Sequence, residues 1–155
     1  MRFIDIIAIL SLGLMIGVEF AVSAFINPTL RKLDDEPQAK SLSLFGALLG
    51  SVMPFWYSLC LVLLIAEAVL RRNTPALTPL ILAASLWTFV ILFTLAVLVP
   101  LNNRIVKFQP TALPAGWQQV HRRWDNLHRL RVLLLLVAFI LALNAILACK
   151  ASASW

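Results

Sequence analysis

Four stretches of the chain are apolar over lengths that cross a bilayer, and the polar residues gather between them. The runs are Phe3–Ile26, roughly Leu44–Leu70, Thr78–Pro100 and Arg131–Cys149. Each meets the requirement of about 20 residues for a spanning helix. In lipid the backbone must satisfy its own hydrogen bonds, which predicts helices for runs of this length. Short links make neighbours antiparallel. The expected fold is all-α: an integral membrane four-helix bundle, one domain over residues 1–155, with an amphipathic helical segment at about 115–130 before the fourth span.

Composition agrees. Hydrophobic residues make up 61% of the chain and the mean hydropathy is +0.92, which excludes an ordinary soluble domain of about 45–50% apolar residues. The net charge is +6. With so little chain outside the runs, membrane lipid is the expected partner rather than nucleic acid. Met1-Arg2 leads straight into the first run, which has no Ala-x-Ala-like exit and is expected to stay as an anchor. Cys60 and Cys149 lie in apolar runs without CxxC spacing. They read as packing residues, with a disulfide between them left open, and no metal site is expected.

The charges also suggest an orientation. Arg31, Lys32, Lys40, Arg104, Lys107, Arg122, Arg123, Arg129 and Arg131 fall on the side of segments 27–43 and 101–130, here called the loop face. Arg2, Arg71, Arg72 and Lys150 fall on the other. The positive-inside rule puts the loop face in the cytoplasm, with both termini outside. Arginines that serve a site would drop out of that count.

Within the first run stands Glu19. A carboxylate in a span should face a bundle interior, a wet cavity or a basic partner. It lies eight residues before Asn27, roughly 12 Å below the loop face at helical rise. Glu67 has a simpler reading as a local ion pair with Arg71, one turn on. Gly13-xxx-Gly17 and Gly46-xxx-Gly50 permit close helix approach, within the bundle or in a homodimer.

The segment from Ala115 to Arg131 reads AGWQQVHRRWDNLHRLR, with Trp117, His121, Trp124, His128 and Arg131 at offsets of four, three, four and three. On a helix these five share one stripe, with Gln118, Arg122, Asp125 and Arg129 opposite. Two readings stay open: an interfacial amphipathic helix, or a lid whose seam faces the bundle mouth. Other polar and aromatic groups reach the same half of the bundle. Asn27 precedes Pro28, which is expected to end the first span. Pro54, beside Trp56 and Tyr57, should kink its helix and free the carbonyl of Gly50. Asn102 and Asn103 follow Pro100. Each also has a local explanation as a turn, a cap or aromatic packing.

These residues carry a family resemblance. The chain is similar throughout its length to the small membrane proteins grouped with the fungal anthrone oxygenases, and most closely to bacterial members. The matching stretches are Gly17-Val18-Glu19-Phe20, Phe25-Ile26-Asn27-Pro28, Val52 to Tyr57, Val99 to Arg104, and Trp117 to Arg131. The resemblance implies a four-helix membrane fold, a place in a bacterial inner membrane, and oxidation of a flat phenolic or polycyclic substrate with molecular oxygen. On that footing Glu19 would be the base that forms a carbanion. Asn27, Asn102 or Asn103, with Arg131, would hold the developing oxyanion. Trp56, Tyr57 and Trp124 would wall the substrate, Trp117 would complete the binding seam, and His128 or His121 would relay the proton. No cofactor is required in this scheme, and a variant has haem on one histidine. A non-catalytic pocket for a lipid, quinone, pigment or haem, with Glu19 in a permanent ion pair with Arg104, Arg123 or Arg131, is the alternative.

Overall fold

The computed structural model describes residues 3–109 and 111–151, with side chains described through residue 148. Arg2 and Lys150, counted above for orientation, lie outside the described side chains. So does Cys149, the second partner of the disulfide left open.

Four helices are long and apolar enough to cross a membrane: α1 (Phe3–Leu30), α2 (Asp35–Leu70), α3 (Leu77–Val106) and α4, whose candidate span is Trp117–Ala148. Among the described residues there is no strand, only an isolated bridge between Gln109 and Ala112. The protein is an all-α integral membrane bundle. A belt of exposed large apolar side chains, among them Leu14, Phe55, Val62, Leu92 and Ile140, faces outward. In water such a surface would aggregate; in lipid it is the expected exterior.

The expected amphipathic segment is helical and runs without a break into the fourth span, as the single helix Trp117–Ala151. There is no separate lid. The chain turns into α4 through Gly116, whose φ of 77° disfavours any side chain.

Two prolines do not end their helices. Pro28 was expected to terminate the first span, yet α1 passes through it. The reason is a π turn at Val22–Ile26, closed by the Asn27 N–H on the Val22 carbonyl. α3 does the same around Pro100, with a π turn at Thr94–Leu98 closed by the Val99 N–H on the Thr94 carbonyl. The wider turn absorbs the ring's clash with the preceding carbonyls. It also re-aims side chains. Eight residues of regular helix would put Asn27 about 80° round from Glu19; one extra residue held in the π turn cuts that to about 20°. Glu19 and Asn27 therefore share the interior face.

The interior has two packed clusters. The larger joins Leu12, Met15, Cys60, Leu64, Leu80, Trp87, Leu135 and Ile146 from all four helices. The smaller lies at the loop face: Ala39, Leu42, Ile105 and Trp117, backed by Leu30, Phe108, Leu113 and Val120. Near the end of the bundle away from the loop face, Arg71 donates to Glu67, as expected, and also to Asp5 at 2.9 Å. Asp5 was not anticipated as a partner. Arg71 is buried in this cluster, so it does not act as a free topological charge.

Candidate functional site

Between the two clusters lies a cavity of about 260 Å³, lined from all four helices. That is just below the range usual for small-molecule sites, about 300–1,000 Å³. Most of the lining is aliphatic or aromatic, and the polar groups stand at a few points on the wall.

Glu19 sits on that wall and is 2% exposed. The Tyr57 hydroxyl donates to its Oε1 at 2.9 Å, and Arg131 Nη2 donates to its Oε2 at 2.6 Å. Of the three arginines considered as its partner, Arg131 fills the role; Arg104 and Arg123 are exposed. The same Nη2 lies 2.9 Å from His128 Nδ1, and His128 Nε2 lies 3.2 Å from the Glu19 backbone carbonyl. A carbonyl can only accept, so Nε2 carries the proton and Nδ1 accepts from Arg131. This fixes a neutral tautomer. The Arg131 guanidinium also lies 5.6 Å from the centre of the Tyr57 ring. Tyr57 is held in turn by Trp87, whose Nε1–H donates to the Tyr57 carbonyl at 3.1 Å.

The seam of α4 faces inward. Trp124 is stacked between two histidines: its ring centre lies 4.8 Å from His128 and 6.3 Å from His121, with the planes within 14° of parallel. His121 is 2% exposed and lines the cavity, yet neither of its ring nitrogens has a hydrogen-bond partner. Two further buried polar atoms on lining residues are also unpartnered, Arg131 Nε and Thr94 Oγ1. Buried groups of this kind are few in folded proteins and call for a ligand or ordered water.

The other expected site residues divide. Asn27 and Asn102 line the cavity, but their amide groups are engaged. Asn27 Nδ2 donates to Asp125 at 2.8 Å, and Asn102 Nδ2 donates to the Gly46 carbonyl at 3.2 Å. The carbonyl that Asn102 holds lies one turn before Gly50 on α2. Three expected residues lie outside the cavity. Trp56 points toward α1, where its Nε1–H donates to Ser11 at 3.2 Å. Asn103 is exposed. Trp117 packs in the loop-face cluster, edge-on to Phe108 with ring centres 6.2 Å apart.

Asp125 is the residue that sequence reasoning misplaced. It was assigned to the polar stripe, but it is fully buried beside the seam. It accepts from Asn27, with Arg129 at 3.2 Å and Arg31 at 3.5 Å. A residue four after His121 lies only about 40° round the helix from it. That angle was the available signal. Thr94 had none, because its inward aim depends on the π turn it begins.

The glycine pattern of α2 works within the bundle. A Cβ on Gly46 would meet Asn102 Oδ1 and Val106 Cγ2 at 3.0 Å. Gly17 has nothing within 4 Å.

The model of the anthrone oxygenase family matches residues 45–141. The chain belongs to the anthrone oxygenase family. The match takes in Tyr57, Asn102, His121, Trp124, His128 and Arg131, while Glu19 and Asn27 precede it. Their place in the site of this family member therefore rests on geometry. No curated protein and no solved structure matches the chain.

Both His128 nitrogens are committed to Arg131 and to the Glu19 carbonyl, so of the two histidines only His121 has nitrogens free to ligate a haem. Among the described residues, no group of three or more His, Cys, Asp or Glu side chains is placed to hold a metal ion.

Proposed function

We propose that this family member oxidises a small hydrophobic carbon acid of the anthrone type, aromatic or phenolic, with molecular oxygen inside the cavity. The observation that carries the reading is the set of unpartnered polar atoms on the wall: one group able to take a proton, His121, and two donors, Arg131 Nε and Thr94 Oγ1. A neutral imidazole with a free lone pair is the group best placed to deprotonate an activated CH₂. The two donors would hold the ring oxygen onto which the negative charge is drawn. Trp124, stacked with both histidines, is part of the wall that the substrate would meet.

In this scheme Glu19 has a different role from the one its position in the sequence first suggested. Both of its carboxylate oxygens are taken, by Tyr57 and Arg131. It acts as a positioning residue that fixes Arg131, and through Arg131 the ring of His128. The reaction balances without a further reductant. His121 takes a proton from CH₂, and the carbanion passes electrons to O₂ and forms a C–O bond. The peroxide regains the proton and loses water, leaving C=O and H₂O.

The test is oxygen uptake by purified protein in lipid nanodiscs supplied with anthrone. Wild type should consume oxygen and form anthraquinone. Glu19→Gln should lower the rate by about a hundredfold or more, on the scale of a lost catalytic positioning contact, measured below the lowered melting temperature that loss of a buried partner brings.

A second reading has a specific observation behind it. Glu19 and Arg131 form a buried ion pair, with both carboxylate oxygens taken, of the kind that serves structure alone, and the cavity would then hold a quinone or pigment without turnover. Under that reading wild type shows no anthrone-dependent oxygen uptake, and Glu19→Gln changes stability alone.

A further inference from the structure

The cavity is closed toward the loop face and open toward the side. Trp117, Phe108, Leu113 and Val120 belong to the apolar cluster that caps it at the loop face, and the main core closes the other end. Lining residues on α1 and α4 are buried or half-buried. The lining residues exposed at the surface all belong to α2 and α3: Phe45, Gly50, Pro54 and Ser58 on one side, Leu95 on the other.

The gap between them has physical causes. Gly50 has no side chain and Pro54 a short ring, and the Ser58 hydroxyl is turned back onto the Pro54 carbonyl at 2.8 Å. Leu95, 57% exposed, belongs to the π turn of α3. The neighbours of the gap on the outer surface are Leu48, Val52, Phe55 and Leu92, all exposed and apolar. Hydrocarbon, not water, is what meets such a rim.

We infer that the cavity is filled from within the bilayer, through the gap between α2 and α3 at Gly50, Pro54 and Leu95, by a membrane-dissolved hydrophobic molecule. The inference rests on the reading of the cavity as a substrate site and adds where the substrate is held beforehand: in the lipid phase, not in the cytoplasm or on a soluble carrier. It makes Gly50 and Leu95 determinants of access, with no part in the chemistry. A Cβ on Gly50 would lie at ordinary contact distance, 3.5 Å, from Asn102 Nδ2 of α3, so a side chain begun there starts at the line where α2 meets α3.

The experiment is photolabelling in proteoliposomes with a trifluoromethyl-aryl diazirine, a small probe that partitions into bilayers, followed by peptide mass spectrometry. Wild type should be labelled at Trp124 and Leu98 inside the cavity as well as at Leu92 and Val62 on the outer surface. Gly50→Phe, and separately Leu95→Trp as a second plug should the first misfold, should cut interior labelling severalfold and leave Val62 unchanged. Absence of interior label in wild type overturns the inference. So does interior label that neither plug reduces, or that Trp117→Ala alone controls. If the label enters and the plugs block it while anthrone is not oxidised, the oxygenase reading fails and the portal stands. If anthrone is oxidised while the label stays out, the portal alone fails.

Discussion

Arg131 Nη2 lies 2.6 Å from Glu19 Oε2, joining the first helix to the last across 112 residues of sequence, with both side chains buried. Two opposite charges taken out of water are costly apart and tolerable together. This pair anchors the polar cluster that Tyr57 and His128 complete.

Removing one partner should therefore hurt more than removing both. Arg131→Met leaves the Glu19 carboxylate buried without its counter-ion and should cost about 3–5 kcal/mol. The double variant Glu19→Leu/Arg131→Met should recover most of the melting temperature in detergent. Thermal melts of the two proteins side by side check this. Equal losses would mean that the pair contributes nothing as a pair.

Asp125 should behave as a structural acceptor. Asp125→Leu strands the Asn27 amide and removes the counter-charge of Arg31 and Arg129, at a cost of about 1–3 kcal/mol. Asp125→Asn keeps an oxygen for Asn27 and should cost less. The order of melting temperatures, wild type above Asn above Leu, is the expected result.

The two GxxxG stretches should respond differently to alanine. Gly46→Ala forces Asn102 and Val106 apart from contacts at 3.0 Å and should destabilise by about 1–3 kcal/mol. Gly17→Ala meets nothing within 4 Å and should be neutral or stabilising by up to about 1 kcal/mol, the helix-propensity difference. Melting temperatures measured in one detergent decide between these outcomes.

The bundle was legible because bilayer length and hydropathy leave few alternatives for an apolar run of about 20 residues. Glu19 announced itself because a carboxylate in such a run needs a partner, and one of the arginines considered for it is the one found. The seam of α4 was legible from its spacing. What failed was finer. Trp56 and Tyr57 were placed on the same wall, but consecutive residues on a helix point about 100° apart. Tyr57 reaches Glu19 while Trp56 faces Ser11. Asn102 and Asn103 split the same way. Pro28 reads as a terminator because a π turn leaves no mark in the sequence, and the aim of Asn27 and Thr94 follows from such turns. The role of Glu19 also differs from the expected one, since both of its oxygens are occupied and the free nitrogens belong to His121.

His121 gives the most direct test of the account. His121→Phe keeps a flat ring against Trp124 and removes two buried nitrogens that have no partner. The melting temperature should hold or rise, since an unsatisfied buried polar group costs about 1–3 kcal/mol. Anthrone-dependent oxygen uptake in nanodiscs should fall to background in the same preparation. Full uptake by a folded His121→Phe protein would contradict the assignment of His121 as the group that takes the proton.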